Sequence, residues 1–250
     1  MSEHRVYGEK IEIDPEHTHA LYNQRAQKID QMDNPYVSVL LGDQNPEYAI
    51  AWDQFEKQII LPKMNVSDNS TVLDIGCGIG RWAEVLIPIS KYYCGMDMSE
   101  EMIKQAQKRN QYLGREYDFV NDSFEHFCQL PEDAMKCKFD RLWMCGVMMY
   151  INDAHLESGL KGLLSKMDEH AVVYFTETIA LDERLTLREF FSTALDADYD
   201  VIYRTEQEYN QLYLSWFDAG FKIKEQGLQP HFNKEEQFRE TDRWYTILER

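Results

Sequence analysis

The sequence predicts an α/β fold: a doubly wound, mostly parallel sheet of seven strands whose C-terminal end is antiparallel. Three observations carry this. From Thr71 onward, short β-type runs alternate with amphipathic stretches, the pattern of parallel strands joined through helices that cover both faces. The first of these runs leaves through a glycine-rich turn, Gly76-Cys77-Gly78-Ile79-Gly80, into a helix. The last two runs, Phe221 to Gln229 and Arg243 to Leu248, have no helix between them and should pair antiparallel.

In chain order, residues 1–65 form a helical cover, because Tyr48, Ala51, Trp52, Phe55 and Ile59 recur at intervals of three and four. Residues 70–180 form the ligand-binding core. Its strands are expected at Thr71 to Ile75, Tyr92 to Met96, Tyr117 to Asn121, Asp140 to Cys145 and Ala171 to Glu177. One covering helix carries the stripe Trp82, Val85, Leu86, Ile89; another carries Leu156, Leu160, Leu163, Leu164, Met167. Residues 181–205 interrupt the alternation and are expected to be an inserted lid after the fifth strand. Thr205-Glu206-Gln207-Glu208 has the spacing of a capping box, opening residues 206–250, the last helix and the closing strand pair. That helix carries Tyr209, Leu212, Tyr213, Trp216 and Phe217 and ends at Gly220. No repeat or Gly/Ser linker divides the chain, so residues 1–250 are read as one domain.

Composition narrows the function. Acidic residues outnumber basic ones 44 to 26, for a net charge of -18, and such a field repels phosphate backbones and anionic bilayers. Neither nucleic acid nor a membrane is expected as a partner. No apolar run approaches the roughly 20 residues of a spanning helix, and the charged start does not read as a secretory signal. The 5 cysteines form no CxxC pair, which fits reduced thiols in a cytoplasm and no metal site.

The glycine turn lets backbone approach a ligand, and the helix after it points free N–H groups at polar atoms. Gly78, Gly80 and Ala83 also satisfy the spacing of a dinucleotide-binding turn, so a nicotinamide dehydrogenase is a rival reading. Asp74, ahead of the first glycine, tips the balance: its carboxylate opposes a pyrophosphate and attracts a cationic centre. Asp97 ends the second strand, where a carboxylate accepts from ribose hydroxyls. Asp122 and Ser123 end the third at the same edge, within reach of an adenine.

Val72-Leu73-Asp74-Ile75-Gly76-Cys77-Gly78-Ile79-Gly80 resembles the first motif of class I S-adenosylmethionine-dependent methyltransferases. The resemblance continues through Gly95-Met96-Asp97-Met98-Ser99, Asn121-Asp122-Ser123-Phe124 and Phe139-Asp140-Arg141-Leu142-Trp143-Met144-Cys145, and covers about Ser70 to Glu177. It implies a Rossmann-like sheet, S-adenosylmethionine as cofactor and S-adenosylhomocysteine as product. By that resemblance, Gly76 and Gly78 line the methionine part, Asp97 holds the ribose, Asp122 and Ser123 meet the adenine, and Cys145 flanks the methionine. Cys77 and Met98, within the same motifs, join this set. Leu21-Tyr22-Asn23-Gln24-Arg25-Ala26 resembles a short helical motif of small-molecule methyltransferases in which an aromatic and an arginine, here Tyr22 and Arg25, close over the cofactor.

Methyl transfer is a direct displacement, so the expected machinery is alignment, water exclusion and, for some acceptors, a base. After the fourth strand stand Met149, Tyr150 and His155; Glu177 ends the fifth. Glu177, His155 and Tyr150 are the catalytic candidates, His155 against the plainer reading of a solvated histidine. Met149, Arg184, Tyr203 and Arg204 are the substrate-binding candidates, with Arg188, Phe190, Phe191 and Tyr199 nearby; for the aromatics, ordinary packing is the alternative. His231 is a weaker candidate base. The expected function is methyl transfer to oxygen or nitrogen of a small molecule, in small-molecule biosynthesis. Alternatives are a protein or peptide amine methyltransferase, which the Gly80-Arg81 pairing also resembles, and a cofactor-binding protein without turnover.

Overall fold

The computed structural model describes residues 4–40, 46–192, 195, 197–230 and 240–250; His231 lies outside them. The N-terminal cover comprises β1 (Arg5–Tyr7), α1 (Pro15–Lys28), α2 (Val37–Leu40) and α3 (Pro46–Phe55). Asp14 caps α1 by accepting from the Glu16 amide at 3.0 Å, ahead of Pro15 at the first helical turn. α3 runs into one π turn, Glu56–Ile60. The simple 3.6-residue stripe would bury Ile59, but Ile59 is 45% exposed, while Ile60 and the charged Glu56 are buried.

The core follows as β2 (Thr71–Ile75), α4 (Ala83–Leu86), β3 (Tyr92–Asp97), α5 (Glu100–Arg109), β4 (Glu116–Asn121), α6 (Phe124–Gln129), β5 (Phe139–Cys145), α7 (Asp153–Leu164) and β6 (Met167–Ala180). Next come β7 (Leu185–Ser192), β8 (Ala197–Tyr203), α8 (Glu206–Leu212), α9 (Leu214–Asp218), β9 (Lys222–Leu228) and β10 (Thr241–Glu249). Seven strands form one sheet in the order β4-β3-β2-β5-β6-β10-β9, parallel except for β10, which pairs antiparallel with both β6 and β9. The strand order reverses at β2, between β3 and β5, which opens a crevice at the carboxyl ends of the strands.

Both sheet faces are covered. On β5, Leu142 and Met144 pack with Leu156, Leu160 and Trp216, whereas Trp143 packs with Trp82, Tyr174 and Ile60 on the other face. Each such side chain taken out of water contributes roughly 2 kcal/mol. The last helix is broken at Tyr213 into α8 and α9, and the capping box forms as its spacing predicts.

The stretch expected to be a lid is a β-hairpin, β7 and β8, which β1 extends into a three-stranded antiparallel sheet. The supposedly helical cover therefore contributes a strand. Leu187, Tyr199 and Val201 of this sheet pack with Leu21 of α1 and Met149, so hairpin and cover form one apolar cluster above the crevice.

Candidate active site

Backbone geometry builds the crevice from below. Gly76 sits at φ +69°, and a Cβ there would lie 2.2 Å from the Val147 side chain; Gly78 sits at φ +54°, with Val39 2.8 Å from its would-be Cβ. Only glycine fits both places. The amides of Gly76 and Cys77 donate to the Met96 carbonyl at 2.7 and 3.0 Å, tying the turn to β3. The Gly78 and Ser99 amides each donate to Asp97 at 2.9 Å, one to each carboxylate oxygen. Asn121 donates to the carbonyls of Asp97 and Met98, joining β4 to the same edge. Burial pushes the Asp97 carboxyl upward, opposed by those two amides.

Asp74 is buried beneath the turn and accepts the Tyr93 hydroxyl at 2.7 Å. Burial raises its pKa to about 7, against the Tyr93 hydrogen bond and the charge of Arg81. Asp122 faces His126 at 2.8 Å and accepts its neighbour's amide, and Ser123 caps α6. Cys77 and Cys145 are free thiols, both pushed up chiefly by burial.

Two adjoining spaces result. The larger, about 550 Å³, is lined by Gly78, Asp97, Met98, Asp122, Ser123 and Tyr150. The smaller, about 80 Å³, is lined by Cys77, Asp74, Met149, Thr176, Glu177 and Thr178, with Glu56, Arg81 and Arg243 completing its polar wall. Tyr22, Val39, Gly76, Cys145 and Gly146 border both. At Gly146, φ is +67° and a Cβ would meet nothing within 4 Å, so the backbone there faces open space.

Tyr22 meets Tyr150 edge to face, with ring centroids 5.5 Å apart and hydroxyls 3.1 Å apart. Burial raises both pKa values, so both phenols are neutral at ordinary pH. Glu177 is buried and accepts the amides of Val147, Met148 and Met149 at 2.9, 2.9 and 3.2 Å. Burial raises it to about 7, opposed first by those amides.

Other sequence candidates stand elsewhere. Arg25 lines neither space; it donates to the carbonyls of Ser38 and Val37 and holds α2 against α1. His155 is exposed on the outer rim of the larger space, 3.2 Å from Glu125 and absent from the smaller one. Arg184 pairs with Glu208 and Asp153. Arg204 pairs with Asp153 and donates to the Met148 and Ile151 carbonyls. Both arginines are buried struts, because a guanidinium removed from water needs its donors filled. Tyr203 bonds the Tyr199 hydroxyl within the aromatic cluster and lines neither space.

Sequence reasoning missed three contributors. Glu56 accepts from Tyr174 at 2.8 Å and pairs with Arg81 at 2.8 Å; Arg81 also reaches Asp53 at 3.0 Å. Arg81 follows the glycine turn and was within reach of a sequence argument. Glu56 lies on the buried face of the helix four residues past Trp52, and Arg243 comes to the site through the antiparallel β6–β10 pairing. Among the described residues, no group of three or more His, Cys, Asp or Glu side chains is arranged to hold a metal, and no helix is long and apolar enough to cross a membrane.

Residues 72–168 match the family described as methyltransferase domain. The chain is 27% identical over 119 residues to phosphoethanolamine N-methyltransferase 1 of Caenorhabditis elegans, a match spanning 48% of this chain and 24% of that protein. The fold resembles phosphoethanolamine N-methyltransferase 1 of Haemonchus contortus, solved with phosphoethanolamine and S-adenosylhomocysteine, at TM-score 0.67 and 19% identity over 92% of this chain and 48% of that one. It also resembles magnesium protoporphyrin IX methyltransferase of Synechocystis, solved with S-adenosylmethionine, at TM-score 0.62 and 15% identity over 97% and 99% of the two chains. Residues 72–168 thus match a methyltransferase domain, set in a fold that S-adenosylmethionine-dependent methyltransferases share.

Proposed function

We propose that the chain transfers a methyl group from S-adenosylmethionine to nitrogen or oxygen of a small-molecule acceptor. The observation that carries this is the small chamber beside the larger cleft, with Tyr22, Val39, Gly76, Cys145 and Gly146 in the walls of both. The cleft's volume of about 550 Å³ lies in the range of small-molecule sites. Its donor set suits a nucleoside with a cationic amino-acid tail: Asp97 for ribose hydroxyls, Asp122 and Ser123 at the adenine end, and Asp74, Gly76 and Cys77 toward the methionine.

When bound, the cofactor supplies a methyl group on a positively charged sulfur, open to direct displacement by a lone pair. The chain's own part is positional. The Gly78 and Ser99 amides fix Asp97 with lone pairs left for a ligand. Tyr22, backed by Tyr150, borders both spaces and excludes water from the boundary between them. Glu177 accepts three amides and holds Met149 on the chamber wall, which makes it a positioning residue. An amine that enters uncharged releases its surplus proton to solvent after transfer, so no base is needed.

The C. elegans relative, by its name an N-methyltransferase of a small phosphorylated amine, supports this reading. The five free thiols support a reducing, cytoplasmic setting. Incubation with isotope-labelled methyl donor and a panel of small amines and hydroxy compounds, read by mass spectrometry, should label a small molecule. Label confined to macromolecules in a cell extract would overturn the proposal.

A further inference from the structure

We infer that Arg243 binds an anionic substituent, carboxylate or phosphate, of the methyl acceptor; this rests on the methyl-transfer reading above. Arg243 is on β10 with Thr178 as its Cα partner on β6, and both line the smaller chamber beside Thr176 and Glu177. Its guanidinium lies over the Trp52 ring, 4.2 Å from the centroid, and one donor reaches the Leu40 carbonyl at 2.9 Å. Among the described residues its remaining donors have no partner, and it forms no ion pair.

That separates the half-buried Arg243 from three fully buried arginines. Arg81, Arg184 and Arg204 each have their charge taken by carboxylates. In a chain with 44 acidic and 26 basic residues, an arginine held flat by stacking beside a cavity and, among the described residues, left without a carboxylate has donors to spare for an incoming anion. Its place points to the acceptor. β10 is three strand steps from β2, with β5 and β6 between, so Arg243 stands about 14 Å across the sheet from the glycine turn. The donor's tail is met nearer by Asp74 and Cys77. An anion at Arg243 defines the substrate class: a small compound carrying a carboxylate or phosphate beside the atom that is methylated.

The test is calorimetric titration of protein loaded with S-adenosylhomocysteine, using phosphoethanolamine, inorganic phosphate and acetate, for the native chain, Arg243→Gln and Arg243→Lys. The native chain should bind at least one of these anions, the tighter of phosphate and acetate giving the class. Arg243→Gln should weaken it tenfold or more, Arg243→Lys less, and S-adenosylhomocysteine affinity should move less than twofold in both, which also establishes that the variants fold. No anion binding by the native chain, or equal binding by Arg243→Gln, overturns the inference. So does a tenfold loss of S-adenosylhomocysteine affinity with 5′-methylthioadenosine affinity intact, which would assign Arg243 to the donor's carboxylate. Failure of S-adenosylhomocysteine to bind the native chain would instead remove the methyl-transfer reading, and this inference with it.

Discussion

Along the carboxyl edges of β2, β3 and β4, ligand-facing groups are fixed by backbone: two amides on Asp97, two on the Met96 carbonyl, and glycines at positive φ that no side chain could replace. Across the cavity, α1 to α3 and the β1-β7-β8 sheet are fixed by long side chains. Arg25 ties two helices, Arg204 gathers the 148–153 turn, and Arg184 bridges Asp153 and Glu208. The contrast teaches that charge in the floor faces the cleft, whereas charge in the cover mostly faces protein. Arg243, on β10 of the main sheet, belongs with the floor, since it lines the smaller chamber.

The sharpest break of that contrast is Arg204→Ala. It leaves two carbonyls without their buried donor and Asp153 with Arg184 alone, so the unfolding free energy should fall by about 3–5 kcal/mol in urea titration, while the folded fraction binds S-adenosylhomocysteine normally. Unchanged stability with impaired methyl transfer would return Arg204 to the substrate clamp that its sequence position suggested.

The buried carboxylates of the chamber come next. Asp74 and Glu177 are both raised to about 7, so the folded chain holds protons there that the unfolded chain has already released. Their stabilising contribution is full below their ordinary pKa values and is lost as pH rises through 7, by at most about 4 kcal/mol for Asp74 and about 3 kcal/mol for Glu177. Urea titrations between about pH 5 and pH 8 should show this decline, shallower in Asp74→Asn and in Glu177→Gln. Equal slopes in all three proteins would contradict the assignment.

The smallest effect is expected at His155. It stands exposed on the outer rim beside Glu125, so His155→Ala should change kcat less than about twofold. A loss of a hundredfold or more would restore it as a general base.

The floor was legible because its determinants are local. Asp74, Gly76, Gly78 and Asp97 fall within one strand-turn-helix-strand unit, and strand alternation located the main-sheet strands to within a few residues at each end. The cover was not, because its partners lie far apart in sequence. Nothing near Arg5–Tyr7 announces pairing with Leu185–Leu187, and nothing near Arg184 announces Asp153 and Glu208. Around α3 the buried face runs through Ala49, Trp52, Asp53, Glu56 and Ile60 at ordinary helical intervals, so apolarity misplaced it: two acids that pair with Arg81 are inside and Ile59 is exposed. Glu177 was legible as a strand-end acid but not as the acceptor of three amides, which depends on how residues 147–149 turn above it.

The central claim, that the glycine turn and Asp97 together hold the nucleoside of a sulfonium donor, is tested most directly by calorimetric titration of S-adenosylhomocysteine and NAD into the native chain and Asp97→Ala. The account predicts that S-adenosylhomocysteine binds the native chain, NAD does not, and Asp97→Ala weakens S-adenosylhomocysteine at least about tenfold by removing charged hydrogen bonds. Binding of NAD in its place, or S-adenosylhomocysteine affinity indifferent to the loss of Asp97, would contradict it.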